Sequence, residues 1–208
     1  SLGLKYFRSS KGAFVSFTSI MAVIGLTIGV AALIIVTSVM NGFEKELKDR
    51  VLNVIPHASI YGLNPIDDWE NIELNLKDDI NIKGISPYIE TEALIKSKSA
   101  VAGVLVNGVE ASKDKSVSVI HEFMQVGNFE NIQEGNNIVL GRLLARKLNV
   151  DLGDKISLML PDTNSSFAGY FPRSKVFNVS GIFNIGSKDI DETLAYISLE
   201  NASILTGL

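Results

Sequence analysis

The longest apolar stretch of the chain lies near its N-terminus. Residues 13–40 are uncharged and interrupted only by Ser, Thr and Gly, and no charged residue occurs between Lys11 and Glu44. A helix needs about 20 residues to cross a bilayer core of about 30 Å. The pattern predicts a membrane-spanning helix with a helical stalk over residues 13–55, which ends at Pro56.

Two other interpretations of this stretch are a cleaved secretory signal and the core helix of a soluble protein. The apolar region of a signal covers about 7–15 residues, and this stretch is about twice as long. A helix that packs on the core of a soluble protein would show a polar face to solvent, and this stretch has no such face. A membrane span therefore fits the pattern best.

The charges around the apolar stretch indicate its orientation. Lys5, Arg8 and Lys11 precede it, whereas acidic and basic residues alternate over residues 44–50. Basic residues are retained on the cytoplasmic side of a membrane. We therefore expect residues 1–12 to form an interfacial leader in the cytoplasm, and the main domain to lie on the other side.

After Pro56 the apolar positions alternate between strand and helix periodicity. Strands are predicted at residues 57–61, 87–96, 99–109, 137–140, 155–160, 175–183 and 194–199, and helices at 67–77, at 141–148 and from 201 onward. This order predicts an α+β fold with two small α/β subdomains. Their predicted bounds are 56–135 and 136–208, and we expect the second to be truncated at its C-terminal end.

One face of the predicted helix consists of small residues. Ala22, Gly25, Gly29 and Ala32 follow one another at helical spacing. Such a face lets two membrane helices approach closely, so we expect a second transmembrane helix to pack there. The alternative is that these glycines are tolerated in lipid without a packing role.

A long connection interrupts the strands of the predicted second subdomain. The projecting loop at 161–174 exceeds the two to five residues of an ordinary hairpin turn. Three aromatic residues follow one another closely at its tip (Phe167, Tyr170 and Phe171), and Arg173 and Lys175 lie at its base. Exposed aromatics beside cations are typical of a protein-binding hot spot. The alternative is a lid in which the aromatics cover the domain's own core.

The composition limits the chemistry of the chain. It has a formal net charge of −4, no cysteine and two histidines. No basic cluster indicates nucleic-acid binding, and no spacing of ligands indicates a metal site. Without a phosphate-binding loop, the chain is not expected to hydrolyse ATP. We expect neither catalytic residues nor a cofactor in this chain, and we interpret residues 189–192 as a solvated turn.

Several segments resemble the lipoprotein-releasing permeases of the LolC/LolE type, within the MacB/FtsX-like ABC transporter superfamily. Residues 3–8 look like the opening of that family, and residues 38–47, Ser-Val-Met-Asn-Gly-Phe-Glu-Lys-Glu-Leu, look like the end of its first membrane helix. Residues 139–148, followed by Gly153-Asp154, resemble its second periplasmic subdomain.

The resemblance implies a subunit of the bacterial inner membrane with four transmembrane helices and a large periplasmic domain. It implies a cytoplasmic ATPase as partner, and a second permease subunit in a homodimer or heterodimer. It further implies that outer-membrane lipoproteins are extracted from the membrane lipid and handed to a periplasmic carrier similar to LolA. Whether the role is that of LolC or of LolE stays open.

The resemblance also implies functions for particular residues. A hook that captures the carrier would consist of Phe167, Gly169, Tyr170, Phe171, Pro172, Arg173 and Lys175. Lipoprotein acyl chains would occupy an apolar groove beside Val36, Val39, Met40 and Phe43. Alternative functions are a MacB-like efflux permease, an FtsX-like mechanotransmitting permease and a single-pass anchored binding module.

Overall fold

A computed structural model describes residues 13–54, 56–62, 65–66, 68–160 and 173–208 of the chain. It divides into two compact units, Ser1–Lys48 and Asp49–Leu208.

The first unit contains most of a long helix, as predicted, and the last residues of that helix belong to the second unit. Helix α1 (Ala13–Val54) has 42 residues. Its apolar side chains need no polar partner, and two of its threonine hydroxyls bond within the helix. Thr27 Oγ1 donates to Val23 O at 2.7 Å, and Thr37 Oγ1 donates to Leu33 O at 2.9 Å. These bonds satisfy the hydroxyls without water, which a helix in lipid requires.

The second unit contains seven strands and several short helices. The helices are α2 (Trp69–Leu76), α3 (Ala111–Asp114), α4 (Arg142–Leu148), α5 (Lys188–Thr193) and α6 (Leu199–Thr206), with 3₁₀ helices at Ile120–Phe123 and Phe129–Gln133. The strands are β1 (Tyr88–Lys96), β2 (Val101–Val109), β3 (Met124–Gly127), β4 (Asn137–Gly141), β5 (Lys155–Leu160), β6 (Arg173–Phe183) and β7 (Leu194–Ser198).

Six of these strands close into a barrel. The strand order is β3-β6-β4-β7-β2-β1-β5, and β5 also pairs with β6. Asn178 marks the closure, because it pairs with Asn137 of β4 and with Lys155 of β5. A strand residue has one neighbour on each side, so β6 lies between β4 and β5 at Asn178. The path from β6 through β4, β7, β2, β1 and β5 therefore returns to β6.

The pleat of the strands divides the buried residues into two clusters. Alternate strand residues, such as Ile95, Leu158 and Phe177, form an inner cluster together with side chains of α4 and α6. Residues of the opposite parity, such as Val139 and Tyr196, form an outer cluster. Because side chains alternate between the two faces of a strand, one closed sheet can supply both clusters.

The α+β class is confirmed, but the division of the soluble part at residue 135 is wrong. Strand β2 pairs in parallel with β7, from Leu105 opposite Leu194 to Val109 opposite Ser198. The inner cluster likewise combines residues from both predicted subdomains. The two segments share one barrel, because pairing between distant strands leaves no signal in local periodicity.

Most of the predicted elements agree with the structure, which adds helix α3 and the two 3₁₀ helices. Residues 57–61 are irregular and not a strand, whereas β3 was not predicted. Residues 189–192, interpreted as a solvated turn, belong to helix α5. Within that helix, Asp191 is 2% exposed, and its carboxylate accepts hydrogen bonds from Ile185 N and Gly186 N, both at 2.9 Å. These two bonds explain why an acidic residue is buried here.

Candidate functional site

The small residues of α1 lie on one side of the helix. At about 100° per residue, Ala22, Gly25, Gly29 and Ala32 fall within an arc of about 80°. A Cβ atom added at Gly25 or Gly29 would meet no atom within 4 Å. Within the described part of the chain, this face is open to a second helix, as its predicted role requires.

The residues proposed to line the acyl groove continue the same side of α1. Val36, Val39, Met40 and Phe43 are 63–68% exposed. The same angular spacing puts them within about 100° of one another and over the same arc as the small residues. One helix supplies only one wall, so the groove itself stays a prediction.

The helix is long and apolar enough to cross a membrane. The candidate span is Phe17–Lys45, with 29 residues, and it is not buried against other residues of the described chain. At 1.5 Å per residue it is about 43 Å long, which exceeds the hydrocarbon thickness of about 30 Å.

Most of the predicted hook lies outside the described residues, including Phe167, Gly169, Tyr170, Phe171 and Pro172. The strands on either side are described, and Leu160 pairs directly with Arg173. Leu160 and Arg173, the described residues on either side of the hook, are therefore neighbours across the sheet.

The two cations at the base of this segment are held by α6. Lys175 Nζ donates to Asn201 Oδ1 at 2.6 Å and lies 5.9 Å from the centre of the Phe177 ring. Arg173 Nη1 donates to Leu205 O at 3.5 Å. Asn201 is buried, and its Nδ2 donates to Gly135 O at 2.8 Å. These bonds fix the base of the connection to the barrel.

Comparison with known proteins identifies the family. The family model described as the MacB-like periplasmic core domain matches residues 19–207. The chain belongs to this family. The match includes the apolar helix from residue 19 onward and the whole barrel.

Among full-length relatives, the MacB-like chain is similar to lipoprotein-releasing system transmembrane proteins. It is 37% identical to LolC of Neisseria meningitidis serogroup B, over 100% of this chain and 51% of that protein. It is 34% identical to LolE of Haemophilus influenzae, over 92% of this chain and 47% of that protein. The resemblance to the LolC/LolE family is confirmed. The chain spans about half the length of the curated relatives that it matches.

A solved structure is also similar to the MacB-like chain. The extracellular domain of the noncanonical ABC-type transporter YknZ from Gram-positive bacteria is 14% identical, with a TM-score of 0.47, over 67% of this chain and 66% of that one.

The barrel also contains a polar group that the sequence analysis did not single out. Asp114 is 7% exposed, and its Oδ2 has no hydrogen-bond partner among the described residues. Burial raises the pKa of this carboxyl group to about 6. Burial and the nearby Asp114 charge also raise the pKa of Tyr196. No sequence motif marks Asp114, because its burial depends on the packing of α3 against the barrel.

No metal site is found in the described ranges. They contain no group of three or more His, Cys, Asp or Glu residues that could hold a metal ion.

Proposed function

We propose that the chain is the anchored N-terminal part of a transmembrane subunit in an ABC-type lipoprotein-releasing complex. The complex would extract lipoproteins from the inner membrane and pass them to a periplasmic carrier. One observation carries this proposal: the similarity to LolC and LolE extends over 92–100% of the chain and includes both helix and barrel.

The proposed location is the bacterial inner membrane, with the N-terminus in the cytoplasm. Lys5, Arg8 and Lys11 precede the apolar helix and favour this orientation. The barrel would then lie in the periplasm, and the description of the family as a periplasmic core domain supports this location.

Energy would come from a partner, because this chain carries no phosphate-binding loop. A cytoplasmic ATPase subunit would bind and hydrolyse ATP. A second permease subunit, identical or different, would pack against the small-residue face of α1 at Gly25 and Gly29.

The side-chain sizes along this face support a path for the acyl chains. Small residues at positions 22–32 permit close helix contact, whereas Val36, Val39, Met40 and Phe43 are larger and hold a neighbouring helix further away. Two helices that touch along the first part would diverge along the second. The gap would be lined by exposed apolar side chains, which suit lipid chains rather than water.

Carrier capture by the hook can be tested by a pull-down with the periplasmic carrier. The full-length subunit is compared with a variant in which Phe167, Tyr170 and Phe171 are all changed to Ala. Aromatic anchors supply much of the affinity of an interface, so we expect carrier retention to fall at least about tenfold. The matched control changes three exposed apolar residues elsewhere to Ala, namely Ile80, Val101 and Leu152.

Equal retention by the two triple variants would contradict the hook. A second measurement, co-purification with a nucleotide-binding subunit, separates the alternative functions. Co-purification without carrier binding would favour an efflux or mechanotransmitting permease of the same superfamily. Failure of both would favour an anchored binding module and reject the proposed function.

A further inference from the structure

A basic pocket lies at the opposite end of β6 from the predicted hook. Helix α4 contributes Arg142 and Arg146, and the segment after β6 contributes Asn184, Gly186 and Lys188. The pocket has a volume of about 240 Å³. It lies where the parallel strands β4 and β6 both end, and a β6 of 11 residues puts this end about 30 Å from Arg173 at the start of the strand.

The three cations of this pocket form no direct polar contact in the described part of the chain, although Lys188, after Lys147, helps to lower the pKa of Glu192. Neither guanidinium group nor the ammonium group of Lys188 makes an ion pair or hydrogen bond there. The neighbouring Lys147 differs, because its Nζ contacts Glu192 Oε1 at 2.9 Å. Arg142 and Arg146 are four positions apart on a helix, where two like charges repel each other and destabilise the helix.

The acidic group of the pocket is already engaged. The carboxylate of Asp191 accepts two backbone N–H groups and is 2% exposed, so it is not free to pair with the cations. Arg142, Arg146 and Lys188 still outnumber the carboxylates of Asp191 and Glu192, so the local charge is positive. Both arginines line the same concavity.

The walls of the pocket are held in position by backbone contacts. Gly186 has a φ of +92°, which side chains rarely tolerate, and a Cβ there would meet no atom within 4 Å. The two bonds to Asp191 hold this bend. Gly141, directly before α4, packs so closely on the Asp191 backbone that only glycine fits. Helix α4 and the segment after β6 are thus fixed to each other.

We propose that this pocket binds a phosphate-type oxyanion through Arg142, Arg146 and Lys188. Guanidinium forks pair with phosphate oxygens two at a time, and a lysine adds a point charge. The half-buried side-chain amide of Asn184 adds a neutral donor. The oxyanion is either a phospholipid headgroup or free phosphate, since both present the same oxygens. The site involves no residue of the helix face or the hook, so it stands apart from the proposed function.

The first arm of the test uses inorganic phosphate. The full chain in neutral-detergent micelles is titrated at constant ionic strength, with chloride replaced by phosphate, and the amide NMR signal of Gly186 is followed. A saturable shift is expected. Changing all three cations to Gln (R142Q, R146Q and K188Q) should weaken binding at least about tenfold, because charge-assisted bonds of about 1.5–3 kcal/mol are lost.

The matched control removes the same charge elsewhere. Lys96, Lys98 and Lys155 are exposed and lie on other parts of the barrel, and changing all three to Gln should leave the affinity within about twofold. A second variant, R142K with R146K, keeps the charge but removes the forks, and it should bind more weakly than the wild type. The proposed site would be contradicted if the control variant lost as much affinity for phosphate, or if the lysine variant bound phosphate as tightly as the wild type.

The second arm identifies the source of the oxyanion. The micelles are doped with phosphatidylglycerol or with phosphatidylcholine. A shift of Gly186 with phosphatidylglycerol that the triple Gln variant abolishes assigns the headgroup, whereas a shift with phosphate alone assigns free phosphate. No saturable shift in either arm, or a shift only with an acidic peptide, would reject an oxyanion site.

Discussion

At the scale of single residues, the carboxyl group of Asp114 makes the stability of the barrel depend on pH. Burial is the cause that raises its pKa to about 6 from the model-peptide value of 3.8. Below about pH 4, the carboxyl group is protonated in both the folded and the unfolded chain. As pH rises to about 6, the unfolded chain loses this proton first, so the folded state loses stability until both are ionised.

We predict that D114N removes this loss. About two pKa units correspond to about 3 kcal/mol, so the variant should gain about 2–3 kcal/mol relative to wild type between pH 4 and pH 7.5. Urea unfolding in neutral detergent, followed by the fluorescence of Trp69, measures the difference. D78N changes an exposed carboxylate and should follow the wild type at both values of pH. If the free energy of unfolding changed with pH by the same amount in all three proteins, the prediction would be contradicted.

The contact between Gly141 and Asp191 supports a second prediction. A Cβ at position 141 would meet the backbone oxygen of Asp191 and lie 2.8 Å from its carbonyl carbon. We therefore expect G141A to lower the free energy of unfolding by about 1–3 kcal/mol, because backbone atoms cannot move aside cheaply. Chemical denaturation provides the measurement.

Gly103 provides the control for this substitution, since a Cβ there would meet no atom within 4 Å. G103A in strand β2 should leave stability unchanged or raise it by up to about 1 kcal/mol. If both variants lost the same stability, the cost would come from glycine flexibility rather than from crowding at Asp191.

At the scale of elements, α1 offers a comparison between its two sides. Leucine at Gly25 and Gly29 would fill the open face, so we expect G25L with G29L to reduce co-purification with the second permease subunit at least about tenfold. Gly42 is also open but lies on the other side of the helix. G42L should leave co-purification unchanged, and equal loss in both variants would argue against a packing face.

Elements with clear periodicity could be predicted from the sequence, whereas those that depend on distant partners could not. The apolar run of α1 and the alternation in β1, β2 and β6 were sufficient for their assignment. Residues 57–61 have a similar alternation but are not a strand, because alternation forms a strand only where a neighbouring strand pairs with it. Strand β3 has only four residues and depends on pairing with the end of β6.

The candidate sites could likewise be predicted from the sequence only where their residues are close together in the chain. The small-residue face was visible because its spacing is local to one helix. The basic pocket was not, because Arg142 and Lys188 are brought together only by the pairing of β4 with β6. The burial of Asp191 depends on the backbone N–H groups at 185 and 186, which no sequence pattern reveals.

At the scale of the whole molecule, the last residue of α1 is part of the barrel's outer cluster. Val54 is 3% exposed and packs among the residues of that cluster. V54A should lower the free energy of unfolding of the barrel by about 1.6 kcal/mol, at about 0.8 kcal/mol for each buried carbon removed. Trp69 fluorescence during denaturation of the full chain in micelles measures this loss.

V39A makes the same chemical change on the exposed part of α1. It should alter the stability of the barrel by less than about 0.5 kcal/mol. An equal effect of the two substitutions would mean that Val54 is not anchored in the barrel.

The closure of six strands into a ring also determines how other chains can attach. Among the described strands, β3 pairs on one side only, β1 pairs with β5 only through Leu94–Lys96, and β2 pairs with β7 only through Leu105–Val109. An extended peptide from another protein can therefore continue the sheet only at these short edges. Along the rest of the ring, crowded copies are protected from joining edge to edge into fibrous aggregates, and a specific partner has to recognise side chains.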